Sequence, residues 1–463
     1  MVDLTQKAAR VLSAYADKKI AVGVSGGRDS MCLLHAVVGC GAVARERIVA
    51  VHVNHGLRET AARDENFVRE FCEKNDIEFK AFAVDVKGES AKNRLTIEQA
   101  ARSLRYGIFY ELIKTRAADC ILTAHHALDN AESVLMHMFR GAGLDGLRGM
   151  NVGEKTAANA LFSRARDGAG DELRCINANT NYAPILRPFI DVYPRELDEY
   201  AAAHGIEYVT DETNFETAAD RNFLRLNVIP LIEQRYGGAV RAINELAREC
   251  REACAVLDGM LDPSQIVYDR GAVLISDSAL SGALGARYVR RALGYFSLAD
   301  VTREQISSVV QLVGMRTGAS TALACGAVAA REYGAVAVYV PREKYDGESA
   351  LVLGANYIDG LVVDVHKSEI NPREVKGGAV DLARLSGATL RFRRDGDMFT
   401  PYGGGTKKLK EYFIDNKLPR RLRDRTPLVC VGSTVLVIVG VQVSAQAAQT
   451  PATAEKGVVA LRW

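Results

Sequence analysis

Apolar residues follow two different patterns along the first 210 or so residues of the chain. Short, continuous apolar runs predict buried strands at residues 19–24, 47–53, 78–85, 119–124 and 184–189. Between them, apolar residues recur every three or four positions and predict helices over 60–74, 97–116 and 129–140. Strands that alternate with helices are typical of a parallel sheet, so this part of the chain is predicted to be α/β.

The pattern becomes helical from Asp220 to about Asp262, where Pro230 interrupts it, and helical segments continue to about residue 315. Short strands return later, around 322–340 and again from Ala388 onward. The sequence therefore predicts a parallel-sheet domain, a mainly helical domain, a linker and a small α+β domain, with boundaries at 1–215, 216–345, 346–383 and 384–463.

Composition narrows the class of protein. The chain has 463 residues, of which 48% are apolar and 25% are charged, as in ordinary soluble globular proteins. Its apolar runs are too short to cross a bilayer, and its first residues lack the apolar core of a signal peptide, so we expect a cytoplasmic protein. The nine cysteines form no C-x-x-C pair, which argues against a zinc ribbon, an iron–sulfur site or a redox pair.

The most specific local motif joins the first predicted strand to a helix and reads Ser25-Gly26-Gly27-Arg28-Asp29-Ser30. A small, glycine-rich turn lets the backbone approach a phosphate, and the free N–H groups at the start of the helix then face the anion. No lysine follows the glycines, so this is not the Walker A loop. Asp29 is the type of residue that holds Mg²⁺ against phosphates.

Other polar residues follow the carboxyl ends of neighbouring strands, where ligands bind in such sheets. His55 follows the second strand, and His125-His126 follow the fourth. Asp129 and Glu132 lie one turn apart at a predicted helix start, where acids also simply favour the helix dipole.

The helix predicted over 97–116 has a charged face of its own. Glu98, Arg102 and Arg105 share that face, which fits either a solvated ladder of ion pairs or a phosphate contact.

Basic residues concentrate near the end of the chain. Residues 391–425 contain eleven Lys and Arg against five Asp and Glu, whereas the whole chain has a net charge of only +2. Gly403-Gly404-Gly405 precedes the lysines and would let the backbone approach a phosphate. The segment is predicted to be either a solvated charged surface or a surface that contacts nucleic-acid phosphates.

The S-G-G-x-D-S loop resembles that of the ATP pyrophosphatases, which split ATP into AMP and pyrophosphate. With it, the order and spacing of the other motifs from residue 19 to about 444 closely resemble the tRNA(Ile)-lysidine synthetase family. Those motifs are the N-H-G-L-R, H-H-A-L-D-N-A-E and R-G-A-G-L-D-G-L segments, D-E-T-N with R-N-F-L-R, and the C-terminal G-D-M-F and K-K-L-K segments.

The resemblance implies that ATP adenylates the C2 carbonyl oxygen of the wobble cytidine in an isoleucine tRNA with a CAU anticodon. The amine of free L-lysine then displaces AMP and gives lysidine. It implies ATP and Mg²⁺ as cofactors, with ATP bound by the loop residues and His55, and metal by Asp29. Catalysis would use Asp29, Arg105, Asp129 and Glu132. tRNA would be bound by Arg221, Arg225, Lys407, Lys408, Lys410 and Arg420.

Two departures from the family pattern and two alternative functions stay open. Leu128 replaces the first acid of the usual H-H-x-D-D motif, and residues 151–182 form a longer insertion than is usual, predicted to be a surface loop. A tRNA thiolase would use the same ATP loop, although it would need cysteines that are lacking here, and an inactive RNA-binding protein could keep the fold. No membrane partner is expected, and a homodimer remains open.

Overall fold

The computed structural model describes residues 2–57, 61–153, 184–209, 220–296, 301–368 and 378–462. The predicted insertion at 151–182 and the segment Asp211–Asn214 fall almost entirely outside these ranges. The described chain forms two compact units, one up to Leu261 and one from Asp262. None of the described helices is long and apolar enough to span a membrane.

The first unit is built on a five-stranded parallel sheet. Its strands are β1 (Ile20–Gly23), β2 (Ile48–Asn54), β3 (Glu78–Ala83), β4 (Cys120–Leu122) and β5 (Ile185–Leu186). Its described helices up to residue 203 are α1 (Leu4–Leu12), α2 (Arg28–Gly39), α3 (Ala61–Lys74), α4 (Val86–Asn93), α5 (Ile97–Lys114), α6 (Ala127–Phe139), α7 (Leu144–Leu147) and α8 (Pro194–Ala203). The predicted parallel α/β architecture is confirmed.

Both faces of the central strands are buried, which explains their continuous apolar runs. Ile20 and Val22 of β1 face one hydrophobic cluster, whereas Ala21 between them faces the other. The same alternation puts Ile48 and Val49 of β2 into opposite clusters. Side chains of successive strand residues point to opposite faces, so helices must cover the sheet on both sides.

The strand order β3-β2-β1-β4-β5 fixes the position of the ligand-binding crevice. The chain winds outward from β1 on one side and continues from β4 on the other, and the strand order reverses between these two neighbours. In open parallel sheets, ligands bind beyond the carboxyl ends of the strands at such a reversal. The loops after β1 and after β4 both leave the sheet at this point.

The helical segment after residue 220 packs against α6 of the parallel-sheet domain. It comprises α9 (Asp220–Phe223), a π-helical turn at Leu224–Val228, α10 (Ile229–Tyr236) and α11 (Ala239–Gly259). Leu224 and Val240 share a hydrophobic cluster with Ala131 and Leu135 of α6. This packing extends the first compact unit to Leu261, beyond the boundary predicted at residue 215.

The second unit contains three sheets. Its first sheet is antiparallel and has the order β6-β7-β10-β9-β8, from strands Ile266–Asp269, Ala272–Ser276, Ala335–Tyr339, Val328–Arg331 and Ser320–Ala322. Three helices accompany it: α12 (Asp277–Ser281), α13 (Gly285–Tyr295) and α14 (Arg303–Gln311). Residues 262–340 therefore contain more strand than the predicted mainly helical domain.

The segment predicted as a linker, 346–383, instead contributes four strands: β11 (Glu348–Ala350), β12 (Gly354–Ile358), β13 (Leu361–Lys367) and β14 (Ala379–Asp381). β13 pairs with β21 (Lys456–Arg462), and β11 pairs with β15 (Thr389–Arg391). Val363 and Val365 of β13 are buried in the shared core. This segment is therefore part of the C-terminal fold, and the main partner strand of β13 lies about ninety residues away in sequence.

The remaining C-terminal elements complete the small α+β fold. They are β16 (Met398–Phe399), β17 (Lys407–Lys408), α15 (Leu409–Asp415), α16 (Arg420–Arg423), β18 (Leu428–Val431), β19 (Thr434–Ile438) and β20 (Gln442–Val443). Arg391 and Asp397 form a doubly bonded ion pair beneath this sheet, with Nη–Oδ distances of 2.8 and 2.9 Å. Both side chains are only 2% exposed.

We expect Arg391→Ala to destabilise the C-terminal sheet by about 3–5 kcal/mol, because it leaves the Asp397 carboxylate buried without its partner. Hydrogen exchange of the β15 and β18 amides measures this loss. Arg394→Ala is the matched control, since its ion pair with Glu348 is solvent-exposed and contributes at most about 1 kcal/mol. Equal protection in the two variants would contradict the structural role of the buried pair.

Candidate active site

The loop after β1 has a backbone conformation that suits anion binding. Gly26 adopts a φ of +92°, in the region that favours glycine, and Gly27 is the N-cap of α2. The Ser30 hydroxyl donates to the Gly27 carbonyl oxygen at 2.9 Å, while the Ser25 N–H donates to the Ser30 hydroxyl oxygen at 3.1 Å. Ser30 therefore fixes the turn, and the first N–H groups of α2 point out of the loop with no helical acceptor.

Asp29 extends from the first turn of α2 between two basic side chains. Its Oδ1 accepts from Arg28 Nε at 2.8 Å, and its Oδ2 lies 3.5 Å from His126 Nε2. Burial alone would raise the pKa of the Asp29 carboxyl, but His126 and Arg28 outweigh it and hold that pKa below its usual range. Arg28 also binds Asp198 of α8, which fixes its guanidinium.

The loop opens into a cavity of about 670 Å³, a volume typical of small-molecule sites. Several chain segments besides the loop line it, among them the end of β2, the start of α3, the middle of α5, the β4–α6 connection and the π-helical turn. Of the predicted site residues, the lining includes Ser25, Gly27, Arg28, Asp29, Ser30, His55, Arg105, Asp129 and Arg225. The motifs at separate strand ends therefore converge as predicted.

Arg105 supplies a cation to the cavity wall. Within the described part of the chain, its guanidinium has neither a hydrogen bond nor an ion pair, and burial lowers its pKa. An arginine on a cavity wall that no described carboxylate neutralises is suited to a substrate anion. Its neighbour on the helix face, Arg102, instead stacks over the Tyr106 ring at 4.8 Å.

The connection from β4 to α6 carries the two histidines. Burial lowers the pKa of His125 to about 3, so its imidazole is neutral, and Nδ1 lies 2.8 Å from the Thr123 hydroxyl. The backbone N–H of His126 donates to Asp129 Oδ2 at 2.9 Å, and this contact caps the start of α6. The His126 ring is buried between the carboxylates of Asp29 and Asp129, at 3.5 Å from each.

Asp129 and Glu132 bind two arginines. Arg221 donates to Asp129 Oδ1 at 3.0 Å and to Glu132 Oε2 at 2.6 Å. Arg225 donates to the same Asp129 oxygen at 2.7 Å and to Glu132 Oε1 at 2.5 Å. Burial alone would raise the pKa of Asp129, but His126 and these two arginines hold it well below the usual range, so the carboxylate stays ionised.

The two acids differ in access to the cavity. Asp129 lines it, whereas the Glu132 side chain is 0% exposed and lies behind the arginines. Arg221 is also absent from the cavity wall, while Arg225 forms part of it. Leu128, at the position of the missing acid, lines the cavity and packs against the hydrophobic cluster around Leu224. The four charged groups act as one unit, of which only Asp129 and Arg225 face a ligand.

The donor set fits Mg²⁺ better than zinc. Mg²⁺ is usually held by one or two carboxylates together with substrate phosphates and water, and Asp29 offers such a carboxylate beside the phosphate loop. No group of three or more His, Cys, Asp or Glu side chains with metal-binding geometry occurs within the described ranges.

In the second unit, ion pairs occupy much of the basic stretch at 391–425. Six of its cations bind carboxylates: Arg391, Arg393, Arg394, Lys407, Arg421 and Arg425. Lys407 pairs with Asp415 at 2.8 Å. Lys408, Lys410 and Arg420 are exposed, and no described carboxylate pairs with them. The predicted cationic surface is therefore smaller than the charge count indicates.

Sequence reasoning missed two supporting residues. The sequence places His126 after a strand end without giving it a role, and in the structure it lies between the loop carboxylate and Asp129. Asp198 anchors Arg28 from α8, about 170 residues along the chain. A histidine directly before a helix whose first turn contains an acid is a sequence signal for the position of His126. Nothing in the local sequence indicates the contact between Asp198 and Arg28, because it depends on how α8 packs.

Comparison with known proteins agrees with this geometry. A PP-loop domain matches residues 1–232, and a TilS substrate C-terminal domain matches residues 388–463. A tRNA(Ile)-lysidine synthase of Clostridium tetani is 31% identical over 450 residues, covering 92% of this chain and 90% of that protein. One from Caldanaerobacter subterraneus is 30% identical and covers 95% and 94%. A solved TilS C-terminal domain is 32% identical, covering 26% of this chain and 97% of its own, with a TM-score of 0.23. This chain therefore belongs to the tRNA(Ile)-lysidine synthase family.

Proposed function

We propose that this chain joins free L-lysine to C2 of the wobble cytidine in a CAU-anticodon isoleucine tRNA, at the expense of ATP. The observation that carries the proposal is one cavity in which a phosphate loop, an arginine with no ion pair among the described residues and an ionised aspartate meet. The family of its relatives supplies the reaction, and the cavity supplies groups for each of its steps. The modified base would pair with A instead of G. The reaction belongs in the cytoplasm, where ATP and tRNA are available.

The first step activates a poor electrophile. The cytidine O2 attacks the α-phosphorus of ATP, the bond to the bridging oxygen breaks, and pyrophosphate leaves. The loop N–H groups hold the phosphates, and Arg105 offers a positive charge where negative charge develops. Mg²⁺, when bound, would be held by Asp29 and would neutralise phosphate charge.

The second step uses the amine of lysine as the nucleophile. Once deprotonated, the lysine Nζ attacks C2, and AMP leaves with the original O2. Asp129 is the acid that faces the cavity, so we assign to it the contact with the lysine ammonium before attack. Glu132 acts through Arg221 and Arg225 and is a positioning residue.

Transfer of labelled lysine to RNA tests the function directly. Purified protein, ATP, labelled lysine and an unmodified isoleucine tRNA transcript should give labelled tRNA, one AMP and one pyrophosphate per lysine. Methionine tRNA, which shares the anticodon, and a reaction without ATP are the controls. Failure to label the isoleucine tRNA would favour the inactive RNA-binding alternative.

Docking of the tRNA backbone is assigned to the exposed cations of the second unit, Lys408, Lys410 and Arg420. Phosphate contacts of this kind give affinity and register without reading the bases. Lys407 contributes less, because Asp415 already neutralises it. Arg221 and Arg225, predicted to bind tRNA as well, are engaged by carboxylates in the structure, and their contact with RNA remains a prediction.

We expect Asp29→Ala to lower the rate of pyrophosphate release by about 100-fold or more, as when a positioned electrostatic contact is removed. tRNA binding should persist. Asp191→Ala is the control: it breaks a largely exposed ion pair with Lys7 of the same unit, away from the cavity wall, and should leave the rate nearly unchanged. A wild-type rate for Asp29→Ala, measured by release of labelled pyrophosphate, would refute a role of Asp29 at the phosphates.

We expect Asp129→Asn to raise the KM for lysine by roughly tenfold, because the charge facing the ammonium is lost while the amide still caps α6. Adenylated tRNA should accumulate and be detectable by mass spectrometry. Glu196→Gln removes the charge of a similar helix-capping acid, on α8, and should leave the KM unchanged. Equal KM values for the two variants would mean that Asp129 only caps its helix.

We expect the double variant Lys408→Ala with Lys410→Ala to bind tRNA more weakly and with a flatter salt dependence. Each lost phosphate contact lowers the log–log slope by roughly one. Filter binding over a range of salt measures this slope, and ATP titration serves as the second readout, which should not change. Lys367→Ala, another exposed lysine of this unit, is the control. An unchanged slope would place the tRNA backbone elsewhere.

A further inference from the structure

The carboxylates assigned to the lysine step already have cations bound to them. Arg221 and Arg225 make four ion pairs with Asp129 and Glu132, at distances of 2.5–3.0 Å. A fifth hydrogen bond joins Arg225 Nη2 to Glu132 Oε2 at 3.1 Å. Asp129 also accepts from the His126 N–H. A carboxylate offers about four acceptor positions, so most of those in this pair are filled.

A lysine ammonium cannot simply be added to this cluster. Two guanidinium charges balance two carboxylate charges, and a further cation would be an uncompensated charge in a poorly solvated place. Glu132 is fully buried, so its oxygens are not accessible while the arginines remain. Lysine binding at Asp129 therefore requires that at least one arginine leave its carboxylates.

Arg225 is the arginine that is placed to leave. It lines the same cavity as the phosphate loop, whereas Arg221 does not, and its side chain is 29% exposed. It lies in the π-helical turn Leu224–Val228, and Pro230 follows two residues after that turn. Proline cannot donate a backbone hydrogen bond, and π-helical turns occur often at functional sites. A phosphate is a strong competitor for a guanidinium, since it also binds in a bidentate manner.

We propose that Arg225 is a positioning residue that sets the order of substrate binding: a substrate phosphate draws its guanidinium away from Asp129 and Glu132, and this opens the place of the lysine ammonium. The inference rests on the proposed function. It joins two roles, since the arginine predicted to contact tRNA also blocks the lysine site. By thermodynamic linkage, two ligands must raise each other's affinity by the same factor: lysine, and the substrate that carries the phosphate.

The phosphate has two possible sources, the triphosphate of ATP and the backbone of tRNA. Both present the same chemistry to Arg225. Equilibrium dialysis with labelled lysine distinguishes them in four arms: protein alone, with Mg²⁺ and a non-hydrolysable ATP analogue, with tRNA transcript, and with both. We expect the Kd for lysine to fall roughly 5- to 150-fold, the usual range for coupled sites, in the arm that supplies the phosphate.

Two variants test whether Arg225 carries the coupling. Arg225→Gln removes the charge and should let protein alone bind lysine as tightly as the wild type does with its phosphate substrate, with no further gain. Arg225→Lys keeps the charge without the bidentate geometry and should show a reduced coupling factor. Arg235→Gln, an exposed arginine of α10, is the matched control and should keep the wild-type coupling.

A lysine Kd that is the same in all four wild-type arms would overturn the proposal, and this result does not depend on the folding of any variant. Coupling that survives intact in a folded Arg225→Gln protein would also overturn it. Transfer of labelled lysine to isoleucine tRNA, measured with the same wild-type preparation, distinguishes failure of this inference from failure of the proposed function. Lysidine formation without coupling contradicts only the role of Arg225, whereas no lysidine formation contradicts the proposed function itself.

Discussion

The ion-pair cluster at the start of α6 is the interaction on which the active site depends. Asp129 and Glu132 lie in a poorly solvated place, and burial alone would raise the pKa of the Asp129 carboxyl. His126, Arg221 and Arg225 outweigh burial, lower that pKa and keep the Asp129 charge available to the cavity. The same ion pairs hold the segment after residue 220 against α6, beside the hydrophobic cluster of Leu224, Ala131 and Leu135. Charge and packing are therefore coupled in one place.

The parallel sheet supplies the second constraint, and it is the part that the sequence predicts best. The central strands are buried on both faces and have continuous apolar runs, and all five predicted strands overlap the observed ones. Because carboxyl ends of parallel strands meet at one edge, the loop at Ser25–Ser30 and the residues after β4 could be expected to meet. The cavity that joins Asp29, Arg105 and Asp129 follows from that topology.

Long-range pairing is what the sequence could not predict. The spacing of Asp129 and Glu132 indicates acids on one helix face, but not that Arg221 and Arg225 bind them from ninety residues away. Likewise, the eleven cations at 391–425 indicate a basic surface, yet buried contacts such as Arg391 with Asp397 remove part of that charge from the surface. The local sequence also does not show that β13 pairs with β21, because β21 lies about ninety residues further along the chain. Local patterns report propensity and periodicity, and tertiary pairing lies beyond them.

A crystal structure of the complex with tRNA, lysine, Mg²⁺ and a non-hydrolysable ATP analogue tests the central claim most directly, which is that one site is used in turn by arginine and by lysine. The account predicts that the lysine Nζ lies within hydrogen-bond distance of Asp129 and that the Arg225 guanidinium has moved to a phosphate oxygen. A complex in which lysine is bound elsewhere, while Arg225 keeps both of its carboxylate partners, would contradict the account.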